Sequence, residues 1–260
     1  MPPDADRPSL DRPCFDRHRL DLRVVEMGLA ESRSRAQALV KAGLVTVDGI
    51  VSDKPSRTVS SGAIVAVTGS DHPWVSRGGV KLDHGLRHFG ISALAKLALD
   101  LGASTGGFTE VLLAHGAALV HAVDVGHGQL AVKLRDNPRV IVHERVNARY
   151  LSRREVPEPI DLLVCDASFI GLEVLLPEPL TLTAETAEAL VLVKPQFEVG
   201  PEAVGKGGIV RDPALHTAVT DRISAWFCRQ PGWTVQGLTE SPILGPDGNK
   251  EFLLYACKRP

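Results

Sequence analysis

The sequence predicts an α/β body built on a seven-stranded, mostly parallel sheet, with a small α+β module in front of it. Three observations predict this. From Arg77 onward, short apolar runs alternate with helix-like patterns, which is how a parallel sheet covered on both faces reads. Residues 97–110 read L-A-L-D-L-G-A-S-T-G-G-F-T-E: an apolar run, a glycine-rich turn, then a helix start. Residues 233–239 and 252–257 are strand-like and joined by a Pro/Gly-rich spacer that suits an antiparallel hairpin at a sheet edge.

The elements follow in order. Residues 1–18 open M-P-P-D-A-D-R-P-S, proline-rich and polar, and are expected to be a disordered tail. Residues 19–68 form the small module. Leu22, Val25 and Met27 fit one helix, stopped at Gly28. Ser32 or Ser34 caps a second helix carrying Ala36, Leu39 and Val40, closed by Gly43. Residues 44–47 read as a strand, Asp48-Gly49 as a hairpin turn and residues 63–67 as the closing strand. Residues 69–76 make a linker in which Trp74 can anchor the junction. Residues 77–260 are the body. A helix is expected over 81–89, and strands over 96–100, 119–123, 140–143, 161–165 and 190–193, before the terminal hairpin.

Composition narrows the function classes. The chain has 260 residues, 44% hydrophobic and 23% charged, an ordinary globular balance with room for a substantial core. A formal net charge of −2 excludes a generic polycation, so nucleic-acid binding must come from a local patch. Such a patch exists. Residues 17–70 hold eight Lys/Arg against five Asp/Glu, whereas residues 71–260 hold nineteen against twenty-two. Four scattered cysteines (Cys14, Cys165, Cys228, Cys257) with no C-x-x-C pair argue against zinc fingers and a disulfide framework. They read as free thiols in a reducing cytoplasm. No apolar run reaches transmembrane length, and no apolar signal segment opens the chain.

In open α/β sheets the ligand sits beyond the carboxyl ends of the strands. Here those ends carry Asp100 with the glycine loop, then Asp124, Asn147, Asp166 and Lys194. Asp124 follows Gly106 by eighteen residues, close to the spacing of an acid that accepts hydrogen bonds from ribose hydroxyls. The glycine loop alone allows several chemistries. Gly102–Gly106 satisfies G-x-S-x-G, the nucleophile elbow of serine hydrolases. That reading needs a late histidine, and the best one, His216, falls in a predicted helix. The loop is no dinucleotide fingerprint, because Ser104 stands where glycine is required, and no G-K-[ST] follows it. Carboxylates at the site suit a positively charged sulfonium cofactor better than a pyrophosphate.

Two stretches of wording carry a family resemblance. Residues 19–67 read R-L-D…G-L-A-x-S-R-S-x-A-x-x-L-V-x-x-G-x-V-x-V-D-G…K-P-S and resemble an S4 RNA-binding domain. The resemblance implies that Arg19, Arg23, Arg33, Arg35 and Lys41 face RNA phosphates. V-S-R-G-G, L-D-L-G-A-S-T-G-G-F-T, D-V-G-H-G-Q-L, V-K-P-Q-F-E and G-N-x-E extend the likeness over residues 19–257. Together they resemble the TlyA family of rRNA 2′-O-methyltransferases, historically called haemolysins, whose catalytic half is similar to the FtsJ (RrmJ) enzymes.

That resemblance implies a Rossmann-like methyltransferase fold and S-adenosyl-L-methionine as cofactor. It implies a catalytic tetrad of Lys81, Asp166, Lys194 and Glu251. It places the cofactor on Asp100, Gly102, Ala103, Ser104, Thr105, Gly106, Gly107, Phe108, Asp124, Val125, Asn147, Ala148 and Asp166, with no metal. It implies ribosomal RNA or ribosomal subunits as partner, with cytidine in 16S or 23S rRNA as acceptor, and a cytoplasmic location.

The tetrad makes chemical sense. A ribose hydroxyl is a weak nucleophile, and free lysine, with a pKa of about 10.4, is protonated at neutral pH. Burial and a second ammonium push it down, so Lys194 beside Lys81 can act as base or steer the hydroxyl lone pair. Asp166 would orient Lys194, and Glu251 would position Lys81 or the hydroxyl. Strand four ends D-A-S-F without the Pro-Pro of amine-methylating enzymes, which favours a hydroxyl acceptor. Two other readings stand beside this one: a non-catalytic S4-type RNA-binding or ribosome-associated protein, and a haemolysin.

Overall fold

The computed structural model describes residues 17–30, 32–69, 72–245 and 248–260. Most of the expected tail, residues 1–16, lies outside the described residues. The chain divides into two compact units, Met1–Asp71 and His72–Pro260.

The first unit runs β1 (Arg17–Arg19), α1 (Leu20–Glu26), α2 (Arg33–Lys41), β2 (Val45–Val47), β3 (Ile50–Val51), β4 (Thr58–Ser60) and β5 (Val65–Val67). Its strands form a three-stranded sheet, β3-β2-β5, and a β1-β4 pair. Arg17 and His18, assigned to the tail on sequence, pair with Ser60 and Val59 instead. The Ser32 hydroxyl accepts the Arg35 amide at 3.2 Å and starts α2. Asp48 and Gly49 both take positive φ, +52° and +80°, as a two-residue hairpin turn requires. The apolar face of α1 differs from the expected one. Leu20 and Val24, four apart, enter the core and Val25 packs against it, while Leu22 and Met27 are 38% and 41% exposed. The helix starts at Leu20, and that start sets which stripe meets α2 and the sheet.

The second unit runs α3 (Gly78–Phe89), β6 (Leu97–Leu101), α4 (Gly107–Ala114), β7 (Leu119–Asp124), α5 (Val132–Arg135), β8 (Val140–Glu144), β9 (Ile160–Cys165), α6 (Leu172–Leu175), α7 (Pro177–Thr181), β10 (Thr183–Val193), α8 (Pro195–Glu198), α9 (Pro213–Cys228), β11 (Trp233–Glu240) and β12 (Phe252–Lys258). Its sheet has seven strands in the order β11-β12-β10-β9-β6-β7-β8. β6 to β10 pair in parallel, and β12 runs antiparallel to both β10 and β11. It is therefore the one reversed strand of this sheet.

The strands are apolar on both sides because both faces are covered. Leu99, Leu163 and Val191 enter the core on one face, and Ala98, Leu162 and Leu190 enter the core on the other, following the two-residue period. Trp74 joins the second of these cores and sits where a Gly79 side chain would go, 2.4 Å from that Cβ position. β10 starts at Thr183, well before the expected 190. Its first half, T-A-E-T-A-E, is small and polar and carries a register shift between Thr183 and Glu188, so it lacks the apolar run that marks a strand.

Candidate active site

The parallel strands deliver their carboxyl ends to one rim of the sheet. β12 starts there too, because Val193 pairs with Phe252, so Lys194 and Glu251 share that rim from distant parts of the chain. A cavity of about 430 Å³ opens on it, lined by Gly102, Ser104, Asp124, Val125, Asn147, Ala148, Asp166 and Phe169 among others.

The loop after β6 is built for close approach. Gly102 takes φ +82°, and a side chain there would meet Ala167 backbone at 3.0 Å. Ser104 adopts φ +48°, strained for a residue with a side chain. Its amide donates to Asp124 Oδ2 at 2.8 Å, and the Gly126 amide donates to Asp124 Oδ1 at 2.7 Å. Asp124 is thereby fixed at the end of β7, facing the cavity. The Ser104 hydroxyl lies 3.3 Å from Gln129 Oε1 rather than against a histidine, and His216 is buried on the Val210 carbonyl. The described residues assemble no Ser–His pair here, which removes the hydrolase reading.

Several loop residues expected to hold a cofactor do not line the cavity. Phe108 and Ala103 pack into the core beneath it. Thr105, Gly106 and Gly107 shape the backbone, and a side chain at Gly106 would strike Leu134 at 2.2 Å. Asp100 is fully buried. It accepts the Thr109 hydroxyl at 2.6 Å on Oδ2, while Oδ1 has no partner. Desolvation, with the nearby charges of Asp166 and Asp124, outweighs the Thr109 bond and pushes its carboxyl up to about 7. Gln129, Val146, Ser168 and Phe169 line the cavity without having been singled out on sequence. Phe169 is 90% exposed at φ +65°, its ring 5.0 Å from that of Phe197. The D-A-S-F wording was its only signal, because exposed aromatics have no periodicity.

Two lysine–carboxylate pairs complete the rim. Lys81 on α3 donates to Glu251 Oε2 at 2.6 Å, and both are almost wholly buried. Lys194, also buried, holds its Nζ 2.7 Å from Asp166 Oδ1 and donates to Ser168 Oγ at 2.9 Å and to the Asp166 carbonyl at 3.2 Å. Asp166 Oδ1 has no aligned hydrogen bond, so its contact with Lys194 is a charge pair at an oblique angle. α3 reaches this pair at its first turn, where a side chain at Gly78 would come 3.3 Å from Asp166 Oδ2. Buried charges persist only when paired, and here each lysine has its own carboxylate.

In the first unit, Asp21 is the organising charge. It is fully buried and takes bonds from Arg19, Arg33 and Gln37 at 2.8–3.0 Å, with Arg19 first among the groups that hold its carboxyl far below the usual range. Arg19 and Arg33 therefore spend part of each guanidinium internally. Arg23 bonds the Ser61 carbonyl at 2.9 Å, Arg35 follows the α2 cap, and Lys41 is exposed.

Comparison with known proteins adds the following. A family model described as FtsJ-like methyltransferase matches residues 74–258, and an S4 domain model matches residues 18–65. The chain is 47% identical, over 91% of its length and 88% of the relative's, to the 16S/23S rRNA (cytidine-2′-O)-methyltransferase TlyA of Mycobacterium tuberculosis. It is 39% identical to Hemolysin A of Brachyspira hyodysenteriae, over 91% of this chain and 98% of that one. A solved structure from Streptococcus thermophilus, 40% identical, superposes with a TM-score of 0.75 over 94% of this chain and 90% of the other.

Proposed function

The chain belongs to the TlyA family, in which an S4 domain precedes an FtsJ-like methyltransferase domain, and on that premise we propose that it methylates a ribose 2′-hydroxyl of ribosomal RNA. The observation that carries the proposal is the pair of buried lysine–carboxylate contacts, Lys81–Glu251 and Lys194–Asp166, at the carboxyl rim of the sheet, where Asp166 also lines the cavity.

The cavity's residues fit S-adenosylmethionine. A fixed carboxylate, Asp124, faces it for ribose hydroxyls, and apolar Val125 and Ala148 can flank a base. Asp124 and Asp166 bring carboxylates to the cavity lining, which suits a sulfonium. When bound, that cofactor supplies an electrophilic methyl group. The transfer is an in-line displacement whose main demand is alignment. Asp166 and Ser168 fix Lys194 Nζ as an ammonium that steers the lone pair of the acceptor hydroxyl; as the O–C bond forms, the methyl's bond to sulfur breaks and the hydroxyl proton passes to water. Glu251 fixes Lys81, which holds the hydroxyl from the α3 side. Phe169 and Phe197 offer an aromatic face for an RNA base.

Arg23, Arg35 and Lys41, with the outward parts of Arg19 and Arg33, dock the first unit on RNA phosphates. Cytidine in 16S or 23S rRNA is the acceptor we propose, with the cytoplasm as the site of action. Among the described residues no helix is long and apolar enough to cross a membrane.

The test is nucleoside analysis of ribosomal subunits incubated with the protein and tritiated S-adenosylmethionine. Label in 2′-O-methylcytidine is the expected result. Cofactor binding without label in any rRNA would favour the non-catalytic RNA-binding reading.

A further inference from the structure

The segment between α8 and α9 contains a second built element on the catalytic rim, unused by the mechanism above. Residues 205–208 read G-K-G-G. The Gly205 amide donates to the Ile209 carbonyl at 3.2 Å, and the Gly208 amide donates to the Gly205 carbonyl at 3.1 Å, closing a tight turn. Gly207 and Gly208 take φ of +80° and +75°, which side-chain-bearing residues adopt only with strain. The tip residue, Lys206, is exposed and has no ion pair among the described residues.

The turn is fastened from beneath by Asn249, which is 1% exposed. Its Oδ1 accepts the Val210 amide at 2.9 Å, and its Nδ2 donates to the Gly208 carbonyl at 2.9 Å. The His216 ring also reaches the Val210 carbonyl, at 2.9 Å. Asn249 stands just ahead of Glu251. The Gly245 amide donates to the Asn249 carbonyl at 2.9 Å, and a side chain at Gly245 would strike Glu251 Oε1 at 2.5 Å. One loop thus grips both the turn and the carboxylate that holds Lys81. A buried amide satisfied on both ends makes such a junction rigid.

Topology puts the turn where substrate arrives. It follows Lys194 and α8 at the carboxyl end of β10, and Asn249 precedes β12, which starts at the same rim. An exposed ammonium on a turn without bulky side chains lets a phosphate come close.

We propose that residues 205–210 form an RNA-contacting tongue, that Lys206 meets a phosphate of the substrate RNA, and that Asn249 is the positioning residue that registers the tongue against Glu251. This rests on the reading of the site as an RNA methyltransferase. A closing substrate would then set the tongue and the Lys81–Glu251 pair together.

The experiment uses the full chain, ribosomal subunits and tritiated methyl transfer, with RNA binding measured separately across salt concentrations. Lys206→Ala should raise KM for RNA, keep kcat and cofactor affinity, and reduce the salt slope of RNA binding by about 1. Asn249→Ala should raise KM and also lower kcat by about tenfold or more, because Glu251 loses its frame. Gly207→Ala serves if Asn249→Ala fails to fold. Its added Cβ meets nothing within 4 Å, so only the turn is strained, and KM should rise with the melting temperature nearly kept. Wild-type KM and salt slope in both Lys206→Ala and Gly207→Ala would overturn the tongue. A folded Asn249→Ala with wild-type kcat would overturn the coupling. The salt slope needs no turnover, so this outcome is separable from failure of wild-type protein to methylate any rRNA.

Discussion

Lys81 and Glu251 meet at 2.6 Å with both side chains almost wholly buried, one on α3 and the other at the entry to β12. Removing either partner strands a buried charge, at a cost of about 3–5 kcal/mol. Lys81→Ala should therefore lose stability as well as methyl transfer. Lys81→Met combined with Glu251→Leu should recover much of the stability in urea denaturation and none of the activity. Recovery of activity in the double variant would show that the pair is structural only.

Asp124 is held by the Ser104 and Gly126 amides and faces the cavity. Asp124→Ala should weaken S-adenosylmethionine binding about 10- to 100-fold, the loss expected for charge-assisted bonds to ribose. Isothermal titration without RNA reads this directly. An unchanged Kd would remove Asp124 from the cofactor site.

Burial drives the Asp100 carboxyl from its ordinary 3.8 up to about 7. A carboxyl raised in the folded state holds its proton there but loses it when unfolded. Its contribution to stability is therefore full below 3.8, declines as pH rises through the window to about 7, and is flat above it. The limiting slope is about 1.4 kcal/mol per pH unit. Asp100→Asn should flatten this part of the profile, gaining on wild type in urea denaturation as pH rises from the ordinary 3.8 to about 7 and no further above it. Parallel profiles would contradict the burial argument.

His121 and His143 act with the opposite sign. His121 Nδ1 lies 3.0 Å from His143 Nε2, and His121 Nε2 lies 3.2 Å from Glu158 Oε2. Burial lowers both imidazoles from 6.5, against the raising effect of Glu158 on His121 and Glu155 on His143. Their stabilising contribution is present above 6.5 and is lost as pH falls below it. His143→Gln should reduce the loss of melting temperature on acidification. An unchanged acid limb would contradict it.

Much of the fold was legible because its signals are local. The strand–glycine–helix order around Gly102, the Ser32 cap and the Asp48-Gly49 turn each impose their geometry within a few residues. The strand ends at Asp124, Asp166 and Lys194 were legible for the same reason. What was hidden depends on pairing across the chain. The start of β10 at Thr183 exists because Thr183 pairs with Ile160 of β9, with β12 joining only from Ala187, and nothing in T-A-E-T-A-E announces a strand. Asp21 reads as an ordinary helical acid until Arg19, Arg33 and Gln37 converge on it. Asp100 reads as a ligand-facing loop acid, and only the packing around Thr109 turns it inward. Asn249 is one residue of a short motif, and its grip on Gly208 and Val210 is visible only in three dimensions.

The central claim is that Lys194, fixed by Asp166 at 2.7 Å, performs its role on an RNA hydroxyl. The most direct measurement compares single-turnover methyl transfer to ribosomal subunits by wild type and Lys194→Ala, with cofactor affinity measured in parallel. Transfer should fall about 10²- to 10⁴-fold while the cofactor still binds. Wild-type transfer rates in Lys194→Ala would contradict the claim.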